Sequence, residues 1–243
     1  MQQLQNNKEP RSIGDLQNSY NELYKGWMKN HKNIWQAQLM LDLMEVEENC
    51  LLLDIGCGTG YVLGMASERK INAFGIDISI TGLRQAKRTE ETISVSMATG
   101  EQLPFCSNQF DYAINLGSLE HFLNPLLAVS ETNRILKPNG KAAILVPNSH
   151  HICAVYNVYR YGEIISDLQD YERYATRKEW EKLLENGGLR VISTHKVNTG
   201  LSKMYKSGRE FFWYLYNTLF RLFGDKWIPK NLSYSFIFLC RAS

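Results

Sequence analysis

The residues best suited to chemistry form one run, Asp54-Ile55-Gly56-Cys57-Gly58-Thr59-Gly60, which closes a short apolar stretch, Leu51-Leu52-Leu53. Glycines at alternate positions let the backbone turn sharply and let a ligand approach main-chain atoms with no Cβ in the way. Seventeen residues after Gly60, a second apolar run ends at Gly75-Ile76-Asp77. A carboxylate there, at a neighbouring strand end, can accept both hydroxyls of a ribose. Charge-assisted hydrogen bonds of this kind contribute about 1.5–3 kcal/mol each. Two phosphate-binding patterns are excluded: a dinucleotide fingerprint needs glycine where this chain has Tyr61, and a P-loop needs Gly-Lys-Ser/Thr. The turn suits a nucleoside-like ligand, and Tyr61 argues against a nicotinamide oxidoreductase.

Three histidines follow later strand ends: His121, beside Glu120, and the pair His150 and His151. A neutral imidazole has a pKa suited to taking a proton from a hydroxyl. A structural His121 and a solvated histidine pair are the alternatives, and both stay open. Five scattered cysteines with no Cys-x-x-Cys pair suggest neither a disulfide framework nor a zinc site, so no metal ligands are expected and a reducing cytoplasm fits best.

The elements that must position these residues are readable from periodicity. Apolar runs at 50–55, 72–77, 93–98, 110–116 and 141–146 alternate with helical patterns, which predicts a parallel sheet. Ser79 is expected to cap one helix, Asn124 with Pro125 another ending before Pro138, and Thr176 with Glu179 to form a capping box. In such βαβ units ligands sit outside the carboxyl ends of the strands. Two further strands, 189–197 and 234–240, predict an antiparallel closing pair. Between them lies 198–232, too long for a plain connection and therefore a suspected lid or binding element.

With 243 residues, 44% hydrophobic and 21% charged, the chain reads as one ordinary globular domain able to fold alone. A net charge of +2 gives no field that argues for nucleic acid. No leader-like or membrane-spanning apolar segment is expected. Tyr20, Tyr24, Trp27, His31 and Trp35 share one helical face. Phe211, Phe212, Leu215, Leu219, Leu222 and Phe223 form another apolar face, and 198–232 holds six basic residues against two acidic ones. That pattern fits a helix packed on the sheet or over the substrate, or one touching a membrane interface over 207–230 and serving a lipid or prenyl substrate.

The ordered elements Asp54–Gly60, Gly75–Asp77, Leu103–Phe105, Phe110–Asp111 and Leu119–His121 resemble those of the class I S-adenosylmethionine-dependent methyltransferases, in the type 11-like branch. The resemblance is close over 50–148 and looser beyond. It implies an α/β Rossmann-like seven-stranded sheet, mostly parallel with the last strand antiparallel, with helices on both faces. It implies one domain over 1–243: an N-terminal helical cap (1–48), a cofactor-binding core (49–148) and a C-terminal half (149–243) with substrate or lid insertions at 149–175 and 198–232. By resemblance, S-adenosylmethionine would lie against Asp54, Gly56, Cys57, Gly58 and Gly60, with Asp77 and Ile78 at the ribose and Leu116 and Gly117 on the methionine side. Tyr20 or Tyr24 would close over it, or simply pack.

One position departs from the family: where an aspartate commonly reads the adenine amino group, this chain has Thr99, so recognition would lean on Gly100 and Glu101. His121, His150 and His151 are the candidate proton acceptors for methyl transfer to a small molecule, with a hydroxyl oxygen as first choice. The alternative is a noncatalytic protein that binds S-adenosylmethionine or S-adenosylhomocysteine. Because Asp77 is expected to contact ligand rather than core, Asp77→Ala is expected to leave the fold intact.

Overall fold

The computed structural model describes residues 12–26, 34–162, 172–198 and 227–243. Seven strands form one sheet: β1 (Leu51–Ile55), β2 (Asn72–Asp77), β3 (Ser94–Met97), β4 (Phe110–Leu116), β5 (Leu136–Pro147), β6 (Leu189–Val197) and β7 (Ser235–Ala242). Their spatial order is β3-β2-β1-β4-β5-β7-β6. Only β7 runs against its neighbours, pairing antiparallel with both β5 and β6. Each strand expected from sequence is present within a few residues of its expected bounds, apart from the start of β5. There Leu136 already pairs with Phe110, and the ladder slips between Phe110 and Tyr112 before regular pairing resumes at Lys141.

Side-chain alternation along the strands builds two cores, because successive residues face opposite sides of the sheet. On one face Leu53, Ile55, Phe110, Phe236 and Phe238 pack with Ala128 and Val129 of α5 (Pro125–Ile135) and Trp180 and Leu184 of α7 (Arg177–Asn186). On the other face Leu52, Ile114, Ala143 and Ile237 meet Met40, Leu41 and Met44 of α2 (Ile34–Met44) and Val62 and Ala66 of α3 (Tyr61–Glu68). Trp180 also donates from Nε1 to the Pro147 carbonyl at 2.9 Å, which ties α7 to the carboxyl end of β5.

The expected caps form. Ser79 Oγ accepts from Gly82 N at the start of α4 (Ile80–Thr89), Asn124 accepts from Leu127 N, and the Thr176–Glu179 box closes in both directions. Each satisfies amides that a helix start leaves bare. The chain leaves the sheet at Val197 and re-enters at Ser235, which pairs with Val197 on one side and with Pro147, at the carboxyl end of β5, on the other. The suspected insertion is therefore rooted on the ligand edge of the sheet. Its residues 199–226 lie outside the described residues, as do Trp27 and His31 of the N-terminal stripe. Among the described residues no helix is long and apolar enough to cross a membrane, and all five cysteines are free.

Candidate functional site

The glycine turn runs from the end of β1 into α3 with Gly56, Gly58 and Gly60 at φ of 81°, 52° and 76°. Gly56 and Cys57 both donate their N–H to the Ile76 carbonyl at 2.8 Å, which holds the turn against the end of β2. At Gly58 two demands coincide: φ is left-handed, and an added Cβ would lie 2.5 Å from the Tyr24 hydroxyl. Only glycine admits both.

Asp77 sits one residue beyond that β1–β2 contact and is 6% exposed. Its Oδ2 accepts from Gly58 N at 2.8 Å and its Oδ1 from Ser79 N at 2.7 Å. The carboxylate therefore builds the turn as well as facing it, which corrects the expectation that its contacts are to ligand alone. Each oxygen still has acceptor capacity for a hydroxyl. Burial pushes its pKa up, and the backbone donors of Ser79, Gly58 and Ile78 oppose that.

Asp54 is 1% exposed, and its Oδ2 has no hydrogen-bond partner. Burial, and secondarily the charge of Asp77, push its pKa up to about 8. A buried carboxyl with an orphaned oxygen costs free energy until a donor or cation meets it. A ligand carrying an ammonium group and neighbouring hydroxyls would satisfy Asp54 and Asp77 together.

The helix α1 (Ile13–Gly26) closes one wall. Gln17 Nε2 donates to the Ile78 carbonyl at 3.0 Å, and Asn21 Oδ1 accepts from Ser79 Oγ at 2.7 Å and from Thr81 N at 3.2 Å. This clamp lays Tyr24 over Gly58 and stands Tyr20 edge-on against His121, with ring centroids 5.9 Å apart. Burial first, then nearby carboxylates, push both phenols well above their ordinary range, so both stay neutral hydroxyls. Sequence reasoning missed Asn21 and Gln17. Their polarity on an amphipathic helix reads as surface until the facing turn is known.

A third wall comes after β4. Asn115 Oδ1 accepts from Ser118 N and Leu119 N at 3.1 and 3.0 Å, bending the chain at Leu116 and Gly117, the latter at φ 72°. Ser118 Oγ then reaches the Gly56 carbonyl at 3.5 Å, and a 3₁₀ turn, Leu119–His121, buries Glu120 and His121. Thr99 Oγ1 accepts from Glu101 N at 3.3 Å, Gly100 packs against the Phe122 ring, and Glu101 Oε1 accepts from Asn124 N at 2.9 Å. Thr99 thus shapes its own turn, while the Glu101 carboxylate ties that turn to the start of α5.

The three candidate histidines differ. His121 is 7% exposed and faces Glu120 and Tyr20. His150 is exposed, with Nδ1 against Ser149 Oγ at 2.7 Å. His151 caps α6 (Ile152–Tyr161) by accepting from Ala154 N at Nδ1, 3.2 Å away, and lies on the Tyr234 ring. That bond commits one of its ring nitrogens to the helix.

Comparison with known proteins agrees with this architecture. The sequence profile described as "Methyltransferase domain" matches residues 53–144. An uncharacterized protein of Methanocaldococcus jannaschii, MJ1252, is 35% identical over 215 residues, 77% of this chain and 83% of that one. The demethylmenaquinone methyltransferase of Staphylococcus aureus is 26% identical over 205 residues, covering 75% of this chain and 84% of that one. Among solved structures, the methyltransferase chain in a complex with the Haloferax volcanii Trm112 methyltransferase activator superposes with a TM-score of 0.67 at 21% identity, covering 92% and 95% of the two chains. The chain belongs to the class I S-adenosylmethionine-dependent methyltransferases, and S-adenosylmethionine is its cofactor.

Proposed function

We propose that the protein transfers the methyl group of S-adenosylmethionine to a hydroxyl oxygen of a small aromatic acceptor. The observation that carries this reading is the polar floor at the exit of β4, where buried Glu120 and His121 lie beneath Tyr20 and beside the Ser118–Gly56 contact. The aromatic rings of Tyr20 and Tyr24 suit a flat acceptor. The kinship to enzymes named demethylmenaquinone methyltransferases supports an aromatic, quinone-like molecule.

S-adenosylmethionine supplies an electrophilic methyl on a sulfonium sulfur, so the protein's task is mainly to hold and align. Asp77 accepts the ribose hydroxyls, and Asp54 offers its orphaned oxygen to the amino group. The glycine turn admits the methionine part, with Leu116 and Gly117 alongside. Adenine lies against Thr99, Gly100 and Glu101. Tyr20 and Tyr24 on α1 exclude water. Methyl transfer forms the oxygen–carbon bond and breaks the carbon–sulfur bond, whose electron pair stays on sulfur, while the hydroxyl proton leaves into the Glu120–His121 pocket.

The test incubates the purified protein with methyl-labelled S-adenosylmethionine and a panel of dihydroxybenzenes and hydroquinones, with and without apolar tails. Mass spectrometry finds the product and NMR locates the methyl. An O-methyl product is expected. A methyl on ring carbon would refute the choice of atom, and a panel left unmethylated would refute the aromatic acceptor. Preference for tailed substrates would support a substrate-binding role for 198–232.

A further inference from the structure

Glu120 and His121 do not stand alone. The segment entering α7 passes beside them: Arg173 donates its N–H to the Glu120 carbonyl at 3.0 Å, and its guanidinium donates to the Phe122 carbonyl at 3.0 Å. That backbone anchor brings Glu172 to the pair. One ligating atom each from Glu120, His121 and Glu172 lies within 4.8 Å of the other two. Glu120 and His121 are buried and Glu172 is half-buried. The second observation is independent: Glu120 Oε2 is buried with no hydrogen-bond partner. Its other oxygen faces His121 Nε2 at 3.9 Å, too far for a hydrogen bond.

We infer that Glu120, His121 and Glu172 form a binding site for a divalent metal ion of the manganese or zinc type, set in the floor of the acceptor pocket. A buried carboxylate faced by a second, half-buried one is costly unless a cation joins them. The imidazole decides which cation. An ammonium group would be served by the carboxylates alone, whereas a neutral ring nitrogen converging with two carboxylate oxygens is a donor set that divalent first-row metals favour. Metal–ligand bonds of about 2.0–2.2 Å place adjacent ligand atoms about 3 Å apart and opposite ones just over 4 Å, so the observed spread needs only a small contraction. Three protein ligands leave positions open, as catalytic rather than structural metal sites do. An ion here would also lower the pKa of a hydroxyl that it contacts, beneath Tyr20. The site stands on these three side chains and does not depend on which acceptor the enzyme uses.

The test is loading of chelator-treated protein with Mn²⁺ alone, followed by the electron paramagnetic resonance signal of free Mn²⁺ and by calorimetry. One saturable site per chain is expected, with Zn²⁺ displacing Mn²⁺ from it. Glu172→Gln, on a half-exposed segment, is expected to weaken Mn²⁺ binding at least tenfold, and Glu120→Gln to do the same. Retained S-adenosylhomocysteine binding shows that each variant is folded. Absence of a saturable site at about 1 mM Mn²⁺ would overturn the inference. So would wild-type Mn²⁺ affinity in both variants while they still bind S-adenosylhomocysteine.

Discussion

Replacing Asp54 by asparagine should separate the stability of the ligand-free protein from its grip on the cofactor. Burial, and secondarily the charge of Asp77, push this carboxyl up to about 8 from its ordinary 3.8. A folded-state value above the unfolded one means that the native state holds the extra proton. Stability linked to this group is therefore fully present below about pH 4 and is lost as pH rises toward 8. At about 1.4 kcal/mol per decade, the span from 3.8 to about 8 makes ionisation cost at most about 5–6 kcal/mol.

Asp54→Asn keeps the shape and removes the titration. Urea unfolding at pH 4, 5, 6, 7 and 8 should find variant and wild type similar at pH 4 and diverging by about 1.4 kcal/mol per pH unit above it. The variant should become more stable by several kcal/mol at pH 8 without cofactor. Calorimetry should show the opposite for S-adenosylhomocysteine: loss of a charge-assisted bond of about 1.5–3 kcal/mol weakens binding roughly 10- to 150-fold. A variant whose stability followed the wild-type pH dependence would refute the account of Asp54.

Asp77→Ala orphans the buried amides of Gly58 and Ser79 as well as the ribose, so it should lower unfolding stability by about 2–5 kcal/mol in addition to raising the cofactor dissociation constant. Denaturant titration in the absence of ligand checks the first part. Gly58→Ala meets both a left-handed φ, costing about 1–2 kcal/mol, and the Tyr24 hydroxyl. Its thermal midpoint should fall, and adding Tyr24→Phe should recover part of the loss. Trp180→Ala removes a fully buried ring and its bond to the Pro147 carbonyl, and should cost about 3–5 kcal/mol in denaturant unfolding.

Features carried by neighbouring residues could be read from sequence alone. Short apolar runs between helical patterns located the strands, and Ser79, Asn124 and Thr176 announced three helix starts, because a cap is satisfied within three residues. The order of the glycine run and Asp77 sufficed to place them side by side, since parallel neighbours β1 and β2 bring those ends together in register. The start of β5 escaped because a ladder slip, invisible in local pattern, let Leu136 pair early.

Other properties arose only where distant segments meet. Tyr24 lies over Gly58, Asn21 holds Ser79, and His151 spends a nitrogen on a helix cap. Glu172 arrives beside Glu120, fifty-two positions away in the chain, through a backbone hydrogen bond. No periodicity encodes such a meeting. Burial and convergence are properties of the packed chain, and they turned the carboxylates at 54 and 120 into groups that demand a partner.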